Sequence, residues 1–286
     1  QKTAYEIMPS LVGSEMCIRD RIVRSVEFVW YTCFRSLENP RPLLITAFSI
    51  CLGAALLITF PLSARLVDKT PSLVLHLPLD EATGIRLKDR SSFNNHGTIN
   101  GKPTREAGKR GGALRFHGSA TNAFVDVRPS ASLNLKGPHT LSFWLRWDGK
   151  GAPWSPLMTK RPVDVTNPDH YSTWVRSDGR FDYRNDNGTV FANRKVPLTN
   201  KWTFLAVTHD GKANVTFFID GATAGKKKLR RTTPNTGPFV VGSGRHLAGD
   251  FGAGAIDEIA IFNRELTETE IKDLMDNGPG APTRPR

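Results

Sequence analysis

The sequence predicts an all-β domain, an antiparallel two-sheet β-sandwich with a short C-terminal helix. Apolar and polar residues alternate in short segments from residue 73 onward, and LVLHLPL and WTFLAVTH are typical of half-buried strands. Ser177-Asp178-Gly179 and Asp210-Gly211 each stand between two such segments and favour hairpins. Because no helical periodicity separates the segments, we expect them to pair antiparallel in two packed sheets.

The individual elements follow from the same period of two, with one exception. Strands are predicted at residues 73–79, 113–116, 123–127, 139–147, 156–160, 171–176, 180–184, 202–209, 215–220, 239–242 and 255–262. The exception is TETEIKDLMDNG, where Thr267 and Glu270 form a capping box, Ile271 begins an apolar stripe and Asn277-Gly278 supplies the stop. These elements define one folded domain at residues 73–278.

An uncharged apolar run occupies residues 42–64, between Arg41 and Arg65. A helix of about 23 residues, rising roughly 1.5 Å per residue, crosses the hydrocarbon core of a bilayer. The run therefore predicts one transmembrane helix, or an uncleaved signal-anchor, ahead of the domain. The arginines upstream of it place the domain outside the cytoplasm. The alternative is a signal peptide cleaved after Leu62-Ser63-Ala64, which would make the protein secreted.

The ends of the chain are interpreted separately from the domain. Residues 1–21 contain PSLVGSEMCIRDR, which resembles translated sequencing-adapter sequence, and they are treated as an artefact. Residues 22–41 mix aromatic and charged side chains and are predicted to be juxtamembrane. Residues 279–286 are expected to be a disordered tail. The three cysteines precede the domain, which excludes a disulfide framework or a thiolate metal site within it.

The net charge of +12 favours acidic partners such as an acidic polysaccharide, and an exported position argues against nucleic acid. The densest basic run is predicted to bind polyanions and contains Lys226, Lys227, Lys228, Arg230 and Arg231. A second basic group would join it if the fold brings the loops together: Lys102, Arg105, Lys109 and Arg110. The alternative is a solvated edge strand that lysines protect from aggregation.

Aromatic side chains supply the other candidate binding residues. Trp154, Trp174 and Tyr171 are candidates for sugar-stacking platforms, because a ring face packs against the apolar face of a sugar. Packing in the core is an equally weighted alternative for these residues. Trp144 and Trp202 lie within alternating strands and are assigned to packing.

Four stretches in order resemble the laminin-G-like members of the concanavalin A-like jelly-roll superfamily. They are LVLHLPLDEATG with KDRSSFNNHGTI, GGALRFHGSATNAFVDV, HTLSFWLRW with KWTFLAVTHDG and VTFFIDG, and GAIDEIAIFNRELTETEIKDL. The resemblance covers about residues 73–278 and implies a jelly-roll of two curved antiparallel sheets. It also implies carbohydrate or protein binding at cell surfaces, or a role as an accessory module of a larger exported protein.

The same resemblance implies a metal site. Asp89 opens the oxygen-rich turn DRSSFNNHG and Asp257 begins the last strand, and related jelly-rolls hold a structural Ca²⁺ at such positions. We therefore expect Ca²⁺ to raise the melting temperature. The alternative is that Asp89 and Asn95 make only side-chain-to-backbone bonds of the turn.

Catalysis has little support in the sequence. Jelly-roll glucanases carry paired carboxylates in an E-x-D-x-x-E pattern, whereas Asp257 and Glu258 are adjacent and point to opposite faces of a strand. We predict a non-catalytic, membrane-anchored, extracytoplasmic module that binds carbohydrate or a cell-surface protein. The alternatives are an accessory binding domain of a truncated exported hydrolase and a purely structural envelope module.

Overall fold

The computed structural model describes residues 72–279 except 148, 151, 163–168, 232 and 245–249. The predictions for residues 1–41, for the apolar run 42–64 and for the tail beyond 279 lie outside the described residues. Within the described ranges, no helix has the length and apolar character needed to cross a membrane.

Sixteen strands, one α-helix and two short 3-10 helices (Gly118–Ala120 and Ala131–Leu133) make up the regular structure of the described residues. The strands and the α-helix are β1 (Leu73–Leu77), β2 (Arg86–Leu87), β3 (Gly97–Asn100), β4 (Thr104–Ala107), β5 (Gly112–His117), β6 (Phe124–Val127), β7 (His139–Arg146), β8 (Trp154–Lys160), β9 (Tyr171–Arg176), β10 (Phe181–Asn185), β11 (Gly188–Phe191), β12 (Trp202–His209), β13 (Asn214–Ile219), β14 (Ala222–Lys228), β15 (Phe239–Val241), β16 (Ala253–Phe262) and α1 (Glu268–Asn277). The prediction of an all-β domain with one short C-terminal helix is confirmed.

The strands form two antiparallel sheets. The back sheet has the order β14-β13-β12-β7-β16-β5-β4, and β1 also pairs with β16. The front sheet has the order β11-β10-β9-β8-β15-β6-β3-β2. Both predicted hairpins are present, because β9 pairs with β10 across Gly179 and β12 pairs with β13 across Gly211. Each of these glycines has a positive φ, of 84° and 75°, which a glycine adopts without strain.

The main core lies between the two sheets and is filled by the apolar side chains that point inward from the strands. Phe181 meets Phe143 at 6.3 Å and Phe217 at 5.5 Å between ring centroids, and both contacts are edge-to-face. All three rings are fully buried, and each stabilises the fold by roughly 1.5–3 kcal/mol relative to an exposed ring. These contacts fix the facing surfaces of β7, β10 and β13.

Helix α1 covers part of the outer face of the back sheet. Its Ile271 and Leu274 pack in a second cluster that includes Trp144, and Trp202 is partly buried against the same cluster. The packing role predicted for both tryptophans is confirmed. The capping box is also present: the Thr267 N–H donates to Glu270 Oε2 at 2.8 Å, and the Glu270 N–H donates to Thr267 Oγ1 at 3.3 Å.

The outer face of the front sheet has no comparable cover, since no helix of the described residues packs on it. Its central strands β15 and β6 carry a small apolar cluster of Val240 and Phe124 with Phe251. Strands β8 to β11, at one end of the sheet, carry a different and more polar surface. That surface contains Trp154, which is exposed, and it is the candidate binding surface of the domain.

Candidate functional site

The residues on the outer face of β8 to β11 are brought together by register. Trp154 on β8 stands opposite Arg176 on β9, and Trp174 on β9 stands opposite Asp182 on β10. Cross-strand partners share a face of the sheet, as do residues two apart on one strand. Trp174 therefore lies on the same face as Arg176, and Asp182 on the same face as Arg184.

Guanidinium groups and aromatic rings alternate across this face. The Arg176 guanidinium lies 3.5 Å from the Trp154 ring centroid and 4.6 Å from that of Phe191. The Arg184 guanidinium lies 4.7 Å from the Trp154 centroid and 4.2 Å from that of Trp174. We call Phe191, Arg176, Trp154, Arg184 and Trp174 the arginine–aromatic ladder. Each such contact stabilises by about 0.5–1 kcal/mol at an exposed site, so the ladder is held in place before any ligand binds.

Two of the arginines near the ladder are paired with carboxylates. Arg184 makes a two-point contact with Asp182, from Nε to Oδ1 at 2.9 Å and from the terminal nitrogen to Oδ2 at 2.8 Å. Arg180 Nε donates to Asp178 Oδ2 at 2.8 Å. Burial raises the pKa of Asp182, and the hydrogen bond from Arg184 opposes that rise. Planar two-point pairs of this kind fix the orientation of both groups.

Trp174 is held as part of the wall of the site. Its Nε1–H donates to Ser172 Oγ at 3.3 Å, and Ser172 in turn donates to Asp169 Oδ2 at 2.5 Å. On its other side, a Cβ at residue Gly244 would lie 2.3 Å from the ring, so only glycine fits there. Trp174 is 5% exposed, whereas Trp154 is 39% exposed. Of the two predicted platforms, Trp154 is the one that solvent reaches.

Tyr171 is not a surface residue. It is fully buried, and its hydroxyl donates to the Leu133 carbonyl at 3.1 Å. Tyr171 and Trp174 are three residues apart on β9, so their side chains point to opposite faces of the sheet. The interpretation of Tyr171 as a sugar-stacking residue is therefore corrected to a core residue, which was the stated alternative.

The basic run lies on and after β14, the edge strand of the back sheet. Lys226, Lys228, Arg230 and Arg231 are exposed, and Lys227 is partly buried. Their positions fit the alternative of a lysine-protected edge as well as a polyanion patch. The second basic group is not brought to it, because Arg105 lies on β4 and Lys109 and Arg110 on the following turn, at the opposite edge of the same sheet. The conditional expectation of one joined patch is wrong.

Asp89 is a hub of hydrogen bonds rather than an open ligand. It is 2% exposed; its Oδ1 accepts from the N–H groups of His76 and Ser91, both at 2.8 Å. Its Oδ2 accepts from Ser91 Oγ at 2.6 Å and from the Asn95 N–H at 2.7 Å. A carboxylate offers about four lone-pair positions, and these four donors occupy them. The geometry fits the alternative of structural turn bonds and does not fit a Ca²⁺ held by Asp89.

Asp257 lies in a different environment. It is fully buried at an irregularity of β16, and its Oδ2 accepts from the Arg110 N–H at 2.9 Å. Its Oδ1 has no hydrogen-bond partner within the described structure. In the same ranges, no three His, Cys, Asp or Glu side chains meet as metal ligands. The neighbouring Glu258 has a positive φ of 52° and contacts His76 Nε2 at 3.0 Å, so the two carboxyl groups have separate partners.

The environment of Asp257 leads to a prediction about pH. Burial raises its pKa to about 7, and Glu258 adds to the rise against the opposing N–H of Arg110. Because the folded state holds this proton more tightly than the unfolded state, stability from this group is present below pH 4 and is lost as pH rises to 7. We expect Asp257→Asn to gain stability relative to the natural chain on going from pH 5 to pH 8, as measured by urea unfolding. A constant difference at both pH values would contradict the shifted pKa.

Sequence reasoning identified Trp154 and Trp174 but missed the arginines and Asp182. The spacing of these residues in the sequence could have identified them. Trp174 and Arg176 are two residues apart in WVR, and Arg180, Asp182 and Arg184 follow one another at intervals of two in RFDYR. Period-two spacing puts each set on one face of its strand. The pairing of Trp154 with Arg176 depends on the register of two strands and is not written in either segment alone.

The domain is a β-sandwich of two packed antiparallel sheets. A helix covers part of one outer face, and an exposed surface of aromatic and cationic side chains lies on the other, as in a lectin-type sandwich. A laminin G family model, described as the concanavalin A-like lectin/glucanases superfamily, matches residues 119–272, more than half of the chain. The chain belongs to this superfamily, which confirms the resemblance inferred from the sequence. No curated protein matches the chain in sequence.

Solved structures with the same fold include binding domains of bacterial toxins. The binding domain of Paraclostridial Mosquitocidal Protein 1 has a TM-score of 0.57 at 19% identity, covering 71% of this chain and 52% of its own. A structure of botulinum neurotoxin type C, whose cell entry is described as dependent on two ganglioside molecules, has a TM-score of 0.56 at 18% identity. The match covers 72% of this chain and 51% of the neurotoxin chain. The binding domain of botulinum neurotoxin DC in complex with rat synaptotagmin II has a TM-score of 0.57 at 18% identity. The match covers 73% of this chain and 52% of the neurotoxin chain. This chain thus spans about half the length of these proteins, and the likeness is one of fold.

Proposed function

We propose that the domain is a non-catalytic binding module for carbohydrate or a surface protein, and that its ligand binds at the arginine–aromatic ladder. The observation that carries the proposal is the exposure of Trp154, at 39%, on the sheet face that α1 leaves uncovered. One exposed aromatic side chain alone is ordinary, but Trp154 continues through Arg176 to the partly exposed Phe191, and a contiguous patch of this kind is typical of a binding surface. The fixed guanidinium groups beside it add directional hydrogen-bond donors.

The similar structures support the same class of function. One of those toxins is described with gangliosides and another with synaptotagmin, so this type of sandwich accommodates both sugar and protein ligands. At under 20% identity, the particular ligands do not transfer to this chain. The predicted anchor at residues 42–64 belongs to the proposal as well, and it rests on the sequence alone.

The rigid ladder makes binding inexpensive in conformational entropy. The side chains of Arg184 and Arg176 are already ordered against aromatic rings, so a ligand does not have to immobilise them. Asp257 and Glu258 do not converge on a common point, which is consistent with binding rather than glycoside hydrolysis.

The test is a broad glycan array, with and without Ca²⁺, using the full chain in detergent and its Trp154→Ala variant. We expect the variant to lose at least about tenfold in affinity for the glycans that bind, which corresponds to about 1.4 kcal/mol. Ile85→Ala is the matched control, because Ile85 is 64% exposed and precedes β2 at the far edge of the same sheet. Its binding should equal that of the natural chain.

Two outcomes would count against the proposal. If the natural chain binds no glycan and no surface protein, the domain is better described as a structural envelope module. If Trp154→Ala binds as tightly as the natural chain, the ligand binds elsewhere and the ladder is not the site.

A further inference from the structure

The three arginines on the front-sheet face differ in how their charge is balanced. Arg184 is paired with Asp182 and Arg180 with Asp178. Arg176, which lies between them on the face, makes no side-chain hydrogen bond or ion pair within the described part of the chain, and its Nε is buried without an acceptor. Its contacts are instead with the rings of Trp154 and Phe191.

This arrangement leaves one positive charge and one buried donor unsatisfied. A buried hydrogen-bond donor without an acceptor is unfavourable. Desolvation lowers the pKa of Arg176, and the positive charge of the neighbouring Arg180 lowers it further. An anionic acceptor at the terminal nitrogens of Arg176, which are not buried, would balance its charge and would reduce the repulsion among the three guanidinium groups.

Resting on the binding function proposed above, we infer that the ladder binds an acidic glycan through a single carboxylate or sulfate group seated on Arg176. A guanidinium presents two parallel N–H donors that match either group. The Trp154 ring already has the guanidinium groups of Arg176 and Arg184 close to it, at 3.5 and 4.7 Å, so the ligand meets cations as well as an aromatic edge. Trp154 thus acts by holding Arg176 in position.

The charge around the site favours one isolated anionic group over a dense polyanion. Three arginines and Lys195, whose Nζ lies 3.6 Å from Asp178, face two carboxylates, so the net charge is only two. The fixed carboxylates of Asp178 and Asp182 repel a second anion nearby. A sugar chain with one acidic group per repeat fits this pattern and places its ring beside Trp154. A run of glutamates or a heavily sulfated polymer fits the basic run at Lys226–Arg231 better, because that run lies on an exposed edge.

The experiment measures binding of the full chain to matched oligosaccharide pairs. The probes are a hexasaccharide of alternating glucuronic acid and N-acetylglucosamine, its carboxyl-reduced form, and sialylated and desialylated or sulfated and unsulfated pairs. We expect the acidic member of at least one pair to bind at least tenfold more tightly, with a shallow dependence on salt because one charge is neutralised. The carboxylate and sulfate pairs separate the two sources of anion.

Variants assign the effect to Arg176. Arg176→Gln should lose at least tenfold for the acidic member and nothing for a neutral one, and Arg176→Lys should recover only part of the loss because the two-point donor is missing. The control is Lys226→Gln with Lys228→Gln, which removes two exposed charges at the edge of the other sheet and should leave binding unchanged. Near-ultraviolet circular dichroism checks that each variant is folded.

Every result bears on the inference separately from the proposed function. Equal binding of acidic and neutral members, lost in Trp154→Ala, would overturn the inference and leave the binding function standing. Full binding by Arg176→Gln, or loss of binding in the lysine variant with steep salt dependence, would move the anion site to the basic run and overturn it too. Binding of none of these oligosaccharides would overturn the inference and would leave only the surface-protein form of the proposed function standing.

Discussion

Replacing Asp89 by alanine is expected to lower the free energy of unfolding by at least about 3 kcal/mol. The carboxylate accepts from three backbone N–H groups, those of His76, Ser91 and Asn95, and the substitution leaves all three without an acceptor. Each buried donor left unpaired costs about 1–3 kcal/mol. The turn after Asp89 would also lose one of its bonds to β1, the bond from the His76 N–H. Urea unfolding followed by tryptophan fluorescence measures the change.

The matched control is Asp80→Ala. Asp80 is exposed, and its Oδ1 accepts a hydrogen bond from the Gly112 N–H at 2.9 Å. We expect this substitution to cost less than about 1 kcal/mol, because water replaces the lost acceptor. A similar cost for both variants would contradict the role of Asp89 as a hydrogen-bond hub.

The Asp89→Ala variant also tests whether Asp89 binds Ca²⁺. With its lone pairs taken by four donors, Asp89 should contribute equally in Ca²⁺ and in EDTA. A natural chain whose melting temperature rises with Ca²⁺, together with an Asp89→Ala variant whose melting temperature does not, would restore the metal role that the family resemblance implies. The turn-bond alternative requires that the two chains respond to Ca²⁺ alike.

The strands that the sequence predicts well are central strands of the back sheet that are buried along nearly their whole length. β7, β12 and β16 are rich in apolar residues because one face packs in the main core and the other in the cluster with α1, and each was predicted within two residues. β2, β3, β4, β11 and β14 were missed, since they are short, polar or rich in lysine. Four of these five are edge strands and β3 lies next to an edge, where one side of the strand faces water and burial imposes no pattern.

The candidate site was only half predictable for a related reason. Residue type pointed to Trp154 and Trp174, and strand parity would have separated Tyr171 from Trp174, since an odd spacing sends two side chains to opposite faces. What the sequence could not supply is the register that sets Arg176 opposite Trp154. Register depends on long-range packing, and a slip of one residue would send every side chain of the strand to the other face.

Acid is expected to destabilise the domain through three buried histidines. His139, His170 and His209 are fully buried, and the rings of His139 and His209 are stacked at 5.2 Å between centroids. The Nδ1–H of His139 donates to the Gly137 carbonyl at 3.1 Å, and in the neutral ring Nε2 accepts from the Tyr183 hydroxyl at 2.9 Å. Burial lowers the pKa of His139 to about 3 and that of His170 to about 4.

The sign follows from proton binding. Between the ordinary pKa of about 6.5 and the lowered value, the unfolded chain binds a proton that folded His139 does not, so stability is full above pH 6.5 and is lost as pH falls. Each pH unit in this window corresponds to about 1.4 kcal/mol, which gives about 2 kcal/mol at pH 5 for His139 alone. The raised pKa of Asp257 acts in the opposite direction, so the natural chain alone does not isolate the effect.

A comparison of two variants isolates it. His139→Phe removes the titrating ring, so its loss of stability between pH 7.5 and pH 5 should be smaller than that of the natural chain by about 2 kcal/mol. Tyr183→Phe removes the hydroxyl that His139 accepts from and keeps the imidazole, so it should be less stable at every pH with the natural slope. Identical slopes in His139→Phe and the natural chain would mean that His139 does not set the acid sensitivity. If the free energy of unfolding falls with pH as steeply in Tyr183→Phe as in the natural chain, and less steeply in His139→Phe, the acid sensitivity comes from the neutral imidazole buried between the two sheets.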